Sequence, residues 1–257
     1  MYDIGTRERA LAQVARGRSL NSVSKETGVS RAAIRSWQVR LEPRKRSGLP
    51  CPRCGDRPEP PSDPASYAYL LGLYLGDGCI STHRRGVHVL RITLDNAWPG
   101  IIGACEAAMR AVRPDNSVCR VGKPGCVAVT MYSKHWVCLF PQHGPGVKHL
   151  REIALAPWQR EIVDAHPWEF VRGLIHSDGC RITNWTTRTA GGERKRYEYP
   201  RYFFTNRSDD IRGLFTDALA KVGVGWTVLA RGGSPLSVSV ARKADVALMD
   251  AHIGPKY

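Results

Sequence analysis

Two segments of the chain end in the same acidic pattern, an aspartate followed directly by a glycine. The first reads LGLYLGDG over residues 71–78, and the second reads RGLIHSDG over residues 172–179. Both are predicted to be helices that the glycine ends in a left-handed turn. Asp77 and Asp178 would then lie at the negative end of a helix dipole, where a carboxylate is unfavourable. A bound divalent cation would remove that conflict, so the pair is a candidate metal site.

The same two segments carry small residues at a spacing that suits close helix packing. Gly72 and Gly76 are four residues apart, as are Gly173 and Ser177. This spacing places both small residues on one face of each helix. Two such faces allow the helix backbones to approach closely, and we therefore expect the two helices to pack against each other.

The region that contains the two motifs is an internal duplication. After each motif the sequence alternates between apolar and polar residues, which predicts strands, and helical stretches separate these strands. Each half is thus predicted to run helix, strand pair, helix, strand pair, helix, with an offset of 101 to 110 residues between the halves. The matched strands are 91–96 with 202–206 and 127–134 with 236–243, and the matched helices are 101–112 with 211–222 and 136–140 with 246–249. Residues 187–199 interrupt the match and are predicted to be an inserted loop.

The N-terminal part of the chain has the pattern of a helix-turn-helix module. Gly28 stands where the turn between two helices needs a left-handed backbone, which costs a glycine little. The segment is similar to resolvase-like and homeodomain-like modules, and the alternative is a helical hairpin that only packs. The residues predicted to form its small core are Val23, Val29, Ile34 and Trp37.

The second helix of this module would be the one that contacts DNA. Ser30 is expected to cap its first turn. In that arrangement Arg31, Arg35 and Ser36 would face the major groove, with Ser30 at the start of the same surface.

Residues 48–65 differ in composition from their surroundings and are predicted to be a stiff, proline-rich linker. Within it Cys51 and Cys54 have the spacing of one half of a zinc site. Zinc requires four ligands, and further ones could reach this pair only through the tertiary fold. The alternative is a reduced thiol pair without metal. The candidates for further ligands are Cys138, His143 and His149.

The chain is strongly basic, with 38 Lys and Arg residues against 23 Asp and Glu residues and a net charge of +15. Such an excess favours polyanionic partners, chiefly nucleic acid. No apolar run approaches the ~18 residues of a membrane-spanning helix, and the N-terminus begins no apolar signal segment. We therefore expect a cytoplasmic protein without a membrane partner. The alternative interpretation of the charge alone is a basic protein that binds no polyanion.

Residues 66–257 resemble the LAGLIDADG homing endonucleases in the two motifs and in the duplication that follows them. The resemblance implies an α+β fold in which duplicated αββαββα repeats form a pseudo-twofold saddle over DNA, here preceded by the small all-α helix-turn-helix module. It also implies that the last acidic residues of the motifs, Asp77 and Asp178, bind Mg²⁺ or Mn²⁺ at the scissile phosphates. The motif's earlier acidic position is occupied by Leu75 and His176, and this position varies within the family.

The resemblance further implies a basic residue at the end of the fourth strand of each repeat, near the cleaved phosphate. Lys134 and Lys243 take this position by internal alignment, and they would polarise water or stabilise the transition state. The alternative is that both are ordinary surface charges. The sheet residues expected to face the DNA bases are Arg91, Thr93, Thr205 and Arg231.

Together these features predict a site-specific, divalent-metal-dependent double-strand DNA endonuclease that is a monomer with an internal pseudo-dimer. The expected units are a helix-turn-helix module at 1–47, the linker with its cysteine pair at 48–65, and two repeats at 66–165 and 166–257. The alternative is a DNA-binding transcriptional regulator built on the same scaffold without cleavage activity.

Overall fold

The computed structural model describes residues 4–39, 41, 54, 60–191, 193–231 and 234–257. Five side chains within these ranges lie outside the description, those of Ser36, Ala190, Arg231, Ser234 and Pro235. The chain divides into two compact units, Met1–Pro52 and Arg53–Tyr257. Among the described residues, no helix combines the length and the apolar character that a membrane crossing requires.

The first unit contains three short helices, α1 (Ile4–Ala15), α2 (Leu20–Thr27) and α3 (Arg31–Val39). Gly28 ends α2 in the left-handed conformation that the sequence predicts, with φ 67°. Ser30 caps the N-terminus of α3, since its Oγ accepts a hydrogen bond from the backbone N–H of Ala33 at 3.2 Å. Among the described residues of this unit, the buried apolar side chains are Ala10, Val23, Val29, Ile34 and Trp37.

The second unit is an α+β structure made of two similar repeats, as the sequence predicts. Its helices α4 and α8 carry the two motifs and pack directly on each other. The first repeat consists of α4 (Pro64–Asp77), β1 (Gly78–Thr82), β2 (His88–Asp95), α5 (Pro99–Val112), β3 (Val118–Lys123), β4 (Cys126–Ser133) and α6 (Trp136–Leu139). After α7 (Pro157–Ala165), the second consists of α8 (Pro167–Asp178), β5 (Gly179–Ala190), β6 (Glu193–Thr205), α9 (Asp209–Lys221), β7 (Thr227–Arg231), β8 (Ser234–Val240) and α10 (Lys243–His252).

Each repeat forms one antiparallel sheet of four strands, and the two sheets have equivalent orders, β1-β2-β4-β3 and β5-β6-β8-β7. Alternation along β2 decides which side of the first sheet is buried. Leu90, Ile92 and Leu94 point into the core, while Arg91 and Thr93 lie on the opposite, partly exposed face. A continuous core therefore lies beneath the sheets, and it includes residues of both motif helices.

The segment 187–199, predicted to be a loop, is instead part of a long β-hairpin. Strands β5 and β6 pair continuously from Gly179 with Phe204 to Ala190 with Glu193. The neighbouring strand β8 pairs with β6 only from Tyr202 to Thr205, so most of the hairpin extends past it. Many threonine, tyrosine and tryptophan residues in this stretch favour strands, and the sequence interpretation gave too much weight to the basic residues and the glycines.

Candidate functional site

The two motif helices approach each other through their glycines. A Cβ atom at Gly72 would lie 2.6 Å from the carbonyl oxygen of Phe170 and 2.7 Å from the backbone nitrogen of Leu174, both on the other helix. A Cβ at Gly173 would collide with the carbonyl oxygen of Tyr69 in the same way. The small residues therefore permit backbone-to-backbone contact, which brings the C-terminal ends of α4 and α8 together.

The glycines after the aspartates have a different role from the one predicted. Gly78 and Gly179 are extended, with φ −88° and −100°, rather than left-handed, because each helix leads directly into the first strand of its repeat. A Cβ at Gly78 would lie 2.5 Å from the Cα of Tyr74, and one at Gly179 would lie 2.6 Å from the Cα of Ile175. A glycine is needed because the chain folds back tightly against the last helical turn.

The motif's earlier acidic position carries no charge in either repeat. Leu75 is buried, and His176 is buried with its Nδ1 2.9 Å from the hydroxyl oxygen of Tyr69 on the other helix. Burial lowers the pKa of His176 to about 4, so the imidazole is neutral at physiological pH. This position therefore contributes packing and one hydrogen bond between the helices.

Two lysines hold the helix ends that carry the aspartates. Lys148 Nζ donates hydrogen bonds to three carbonyl oxygens in the last turn of α4, those of Tyr74 at 2.5 Å, Leu75 at 2.9 Å and Gly76 at 2.7 Å. Lys256 Nζ donates to the carbonyl oxygen of Ser177 at 3.0 Å, at the end of α8. An ammonium group at this position compensates both the unpaired carbonyls and the negative end of the dipole.

Sequence reasoning missed both lysines, although a signal was present. Lys148 follows α6, and Lys256 follows α10, the equivalent helix of the second repeat. They are 108 residues apart, which falls within the offset that relates the two repeats. Because Lys148 begins a single 3-10 turn (Lys148–Leu150) and Lys256 lies in an irregular segment, no periodic pattern marks them.

The four charged groups perturb one another. Burial by the packed helices on one side, and then the charge of Asp178, raise the pKa of Asp77 to about 6, although solvent reaches Asp77 from the other side. Burial also raises the pKa of Asp178, against a 2.6 Å hydrogen bond from Asn206 Nδ2. Burial lowers the pKa of Lys148 to about 8, against the attraction of both aspartates. The same cause lowers the pKa of Lys256.

This arrangement fits a divalent cation. Two carboxylates whose ionisation is disfavoured by burial lie close enough for the charge of Asp178 to act on Asp77. No described residue donates a hydrogen bond to the carboxylate of Asp77, which leaves it available as a ligand. An open cleft of about 320 Å³ borders Asp178, and its wall includes Gly76, Lys148, Thr205 and Asn206. Hard oxygen ligands of this kind suit Mg²⁺ or Mn²⁺.

The structure does not bring Lys134 to this centre. In the first sheet Gly78, which follows Asp77, pairs with Ile92, and Ile92 pairs with Val129. Ser133, the residue before Lys134, lies four positions beyond Val129 on β4, which is about 13 Å of strand. Lys134 is therefore exposed at the far end of the sheet.

Lys243 has the equivalent location in the second sheet. Gly179, which follows Asp178, pairs with Phe204, and Phe204 pairs with Val238, five residues before Lys243. Lys243 is exposed at the start of α10. The internal alignment matched the two lysines to each other, but each follows the end of its strand that is remote from the aspartate of its repeat. The lysines beside the aspartates are Lys148 and Lys256.

Arg91, Thr93 and Thr205, three of the residues predicted to face DNA bases, lie on the face of their sheets opposite the core. Arg91 and Thr93 share this face in the first sheet, and Arg91 Nη1 donates to Ser81 Oγ at 2.5 Å. Thr205 is exposed in the second sheet, where its Oγ1 lies 2.8 Å from Ser237 Oγ. Arg231 ends β7, and its side chain lies outside the described ones.

In the first unit, the structure describes most of the residues predicted to contact DNA. Ser30, Arg31 and Arg35 are exposed. The side chain of Ser36 lies outside the described ones. Arg31 and Arg35 are four residues apart on α3, so the two exposed side chains lie next to each other on the surface of the helix.

The β5–β6 hairpin adds a basic surface with exposed aromatic rings. Trp185 and Tyr197 are 55% and 45% exposed, which is unusual for side chains of this size. The guanidinium carbon of Arg196 lies 5.0 Å from the centre of the Trp185 ring. The exposed basic residues of the hairpin are Arg188, Arg194, Lys195 and Arg196.

No protein-family model and no curated protein matches the chain. Among solved structures, I-DmoI in complex with DNA and manganese matches with a TM-score of 0.50 at 15% identity, over 76% of this chain and 98% of the I-DmoI chain. The N-terminal LAGLIDADG domain of WhiA matches over 76% of this chain and 86% of that domain, with a TM-score of 0.45 and 12% identity. The protein has a LAGLIDADG-type fold.

Proposed function

We propose that the protein is a divalent-metal-dependent endonuclease that hydrolyses phosphodiester bonds in double-stranded DNA. The observation that carries this proposal is the pairing of Asp77 and Asp178 at two adjacent helix ends, each end held by a lysine. The fold supports it, because I-DmoI is a homing endonuclease that has been solved with DNA and with manganese.

Asp77 and Asp178 would hold the divalent ions. When bound, the ions activate water and neutralise charge on the leaving oxygen. Asn206 restrains the carboxylate of Asp178 through its 2.6 Å hydrogen bond, which keeps that side chain directed to the cleft. The close contact between Gly72 and Gly173 sets how near the two carboxylates can come to each other.

The two lysines have related but unequal roles. All three N–H groups of Lys148 are used by carbonyls of α4, so Lys148 acts on a bound phosphate through its charge. Lys256 donates to one described carbonyl, so it can also donate to a phosphate oxygen. Both positive charges favour the extra negative charge that develops at a phosphate during hydrolysis.

Three surfaces would contact the DNA. The outer faces of the two sheets, which carry Arg91, Thr93 and Thr205, would read base edges, and the β5–β6 hairpin would add contacts to phosphates and bases. In the first unit, Arg31 and Arg35 of α3 would contact a separate stretch of the duplex. The net charge of +15 supplies the attraction to phosphate that such binding requires.

The test needs a DNA target, which selection from a randomised duplex pool in EDTA can provide. The selected duplex is then incubated with the full chain and Mg²⁺, Mn²⁺ or EDTA. We expect cleavage with the two metals only, and its loss in Asp77→Asn and Asp178→Asn with DNA affinity retained. Asp115→Asn, which removes an exposed carboxylate elsewhere, is the matched control and should cut like the wild type.

A second pair of variants distinguishes the role of Lys148 from that of Lys134. Lys148→Met should slow cleavage, whereas Lys134→Met should leave the rate unchanged, because Lys134 lies at the far end of its sheet. If Lys134→Met is the slower enzyme, the assignment of Lys148 fails.

The alternative function is a DNA-binding regulator without cleavage. The first unit favours it, because an exposed pair of arginines on α3 could supply sequence-specific binding by itself. Tight binding of the selected duplex, with no cleavage in Mg²⁺ or Mn²⁺ under any condition, would establish the regulator and refute the endonuclease.

A further inference from the structure

A second group of metal-binding side chains lies away from the aspartates. The ligand atoms of Cys54, His135 and Cys138 all lie within 4.8 Å of one another. Cys54 Sγ and His135 Nδ1 are 2.9 Å apart. All three side chains are partly buried. Cys54 is 81 residues from His135 in the chain, so the tertiary fold alone creates this group.

The start of α6 presents two of these side chains in a fixed relation. His135 precedes α6, and its carbonyl oxygen accepts a hydrogen bond from the N–H of Cys138 at 2.9 Å. Residues three apart on a helical turn share one face. The turn is anchored from below by the buried Trp136, whose Nε1 donates to the carbonyl oxygen of Met131 at 2.9 Å. The His135–Cys138 pair is thus held rigidly before any ion binds.

We propose that Cys54, His135 and Cys138 bind a structural zinc ion. Cys51, which has the spacing of a zinc-binding pair with Cys54, lies outside the described residues. The fold brings His135 and Cys138, which have the same spacing as Cys51 and Cys54, next to Cys54. Two thiolates and one imidazole supply three of the four ligands of a tetrahedral structural site.

The geometry agrees with tetrahedral zinc. Zinc–sulfur bonds of about 2.3 Å and zinc–nitrogen bonds of about 2.05 Å place neighbouring ligand atoms about 3.6 Å apart. Cys54 Sγ and His135 Nδ1 are 2.9 Å apart and the other two separations are at most 4.8 Å, which is compatible with this value. Small side-chain rotations would bring all three atoms to the bonding distance.

The ligand chemistry separates this site from the aspartate pair. Thiolates and imidazole select zinc, whereas carboxylates select Mg²⁺ or Mn²⁺. Of the three further zinc ligands that the sequence suggests, only Cys138 joins the group. The ring of His143 instead lies 6.5 Å from the ring of His88, and His149 borders the cleft near Asp178. The zinc ion would fasten the segment before α4 to the start of α6.

The test measures metal directly and needs no DNA substrate. The full chain is expressed in zinc-supplemented medium, purified without chelator and analysed for metal by mass spectrometry. We expect one zinc per chain in the wild type. Cys54→Ser and Cys138→Ser should each lose most of it. Cys119→Ser is the matched control, since Cys119 is an exposed thiol on β3, and it should retain one zinc.

A measurement on the wild type covers the case in which the cysteine variants do not fold. The reduced chain is treated with a thiol-alkylating reagent, with equimolar zinc or with EDTA, and the modified cysteines are mapped by mass spectrometry. Zinc should protect Cys54 and Cys138 but not Cys119, because metal-bound thiolates react slowly. Absence of stoichiometric zinc, or equal labelling of Cys54 and Cys138 with and without zinc, would overturn the proposal.

Discussion

Replacing Asp77 by asparagine should stabilise the metal-free protein at neutral pH. Burial, together with the charge of Asp178, raises the pKa of Asp77 from 3.8 to about 6, so an ionised Asp77 costs folding free energy. Without any screening by solvent, a pKa shift of this size corresponds to about 3 kcal/mol of folding free energy. Because solvent reaches Asp77 from one side, screening reduces the expected gain to about 1 kcal/mol.

Because folding raises the pKa of Asp77, the predicted stabilisation depends on pH. The folded-state pKa lies above the unfolded value, so the contribution of Asp77 to stability is complete below about pH 4 and is lost as the pH rises through about 6. Asparagine does not titrate. The stability difference between Asp77→Asn and wild type should therefore grow from near zero at about pH 4 to its full size at about pH 7.5.

Urea denaturation in EDTA, followed by tryptophan fluorescence at both pH values, measures the two differences. Asp115→Asn is the control and should change neither, since Asp115 is exposed and is not among the charged groups that act on Asp77. Added Mg²⁺ should stabilise the wild type and not Asp77→Asn, because a ligand that binds the folded state shifts the equilibrium towards it. If Asp77→Asn is less stable than wild type at neutral pH, or if the difference does not change with pH, the electrostatic reasoning is refuted.

Two further predictions concern the helix contact and the first unit. Gly72→Ala should destabilise the protein by about 1–3 kcal/mol, because its Cβ would meet the backbone of the facing helix, whereas Gly103→Ala in α5 has open space and should be neutral or stabilising in the same denaturation assay. Equal effects would contradict the close packing. The double change Arg31→Ala with Arg35→Ala should weaken binding of the selected duplex and reduce the slope of log affinity against log salt by about 2. An unchanged slope would show that these arginines do not contact phosphate.

Several features of the candidate site follow from the sequence by short-range rules. The spacing of Gly72 and Gly173 within their motifs predicted two helices in close contact, and the structure has that contact. Gly28 was expected in a left-handed turn and adopts one. Such features depend on the period of the helix and on which residues tolerate a positive φ, and both are encoded within a few neighbouring positions.

The wrong predictions depended on the register of a strand or on the direction of the chain after a helix, which short-range sequence patterns do not specify. Lys134 and Lys243 are equivalent by alignment, but only the strand register shows that they lie at the wrong end of their sheets. Gly78 was assigned a left-handed cap, and the structure shows an extended residue that leads into β1. In both cases a correct local pattern was combined with an unknown tertiary direction.

By itself, the sequence determined the duplication, the two motif helices with Asp77 and Asp178 at their ends, and the excess of positive charge, because each depends on periodicity or composition. Only the tertiary structure decided which lysine side chains lie beside the aspartates. Lys148 reaches its helix end from a single 3-10 turn and Lys256 from an irregular segment, and each lies more than 70 residues beyond its carbonyl partners in the chain. The same holds for Cys54 beside His135, 81 residues apart. Side chains from irregular segments obey no sequence period, and their neighbours are set by how the packed helices and sheets close the core.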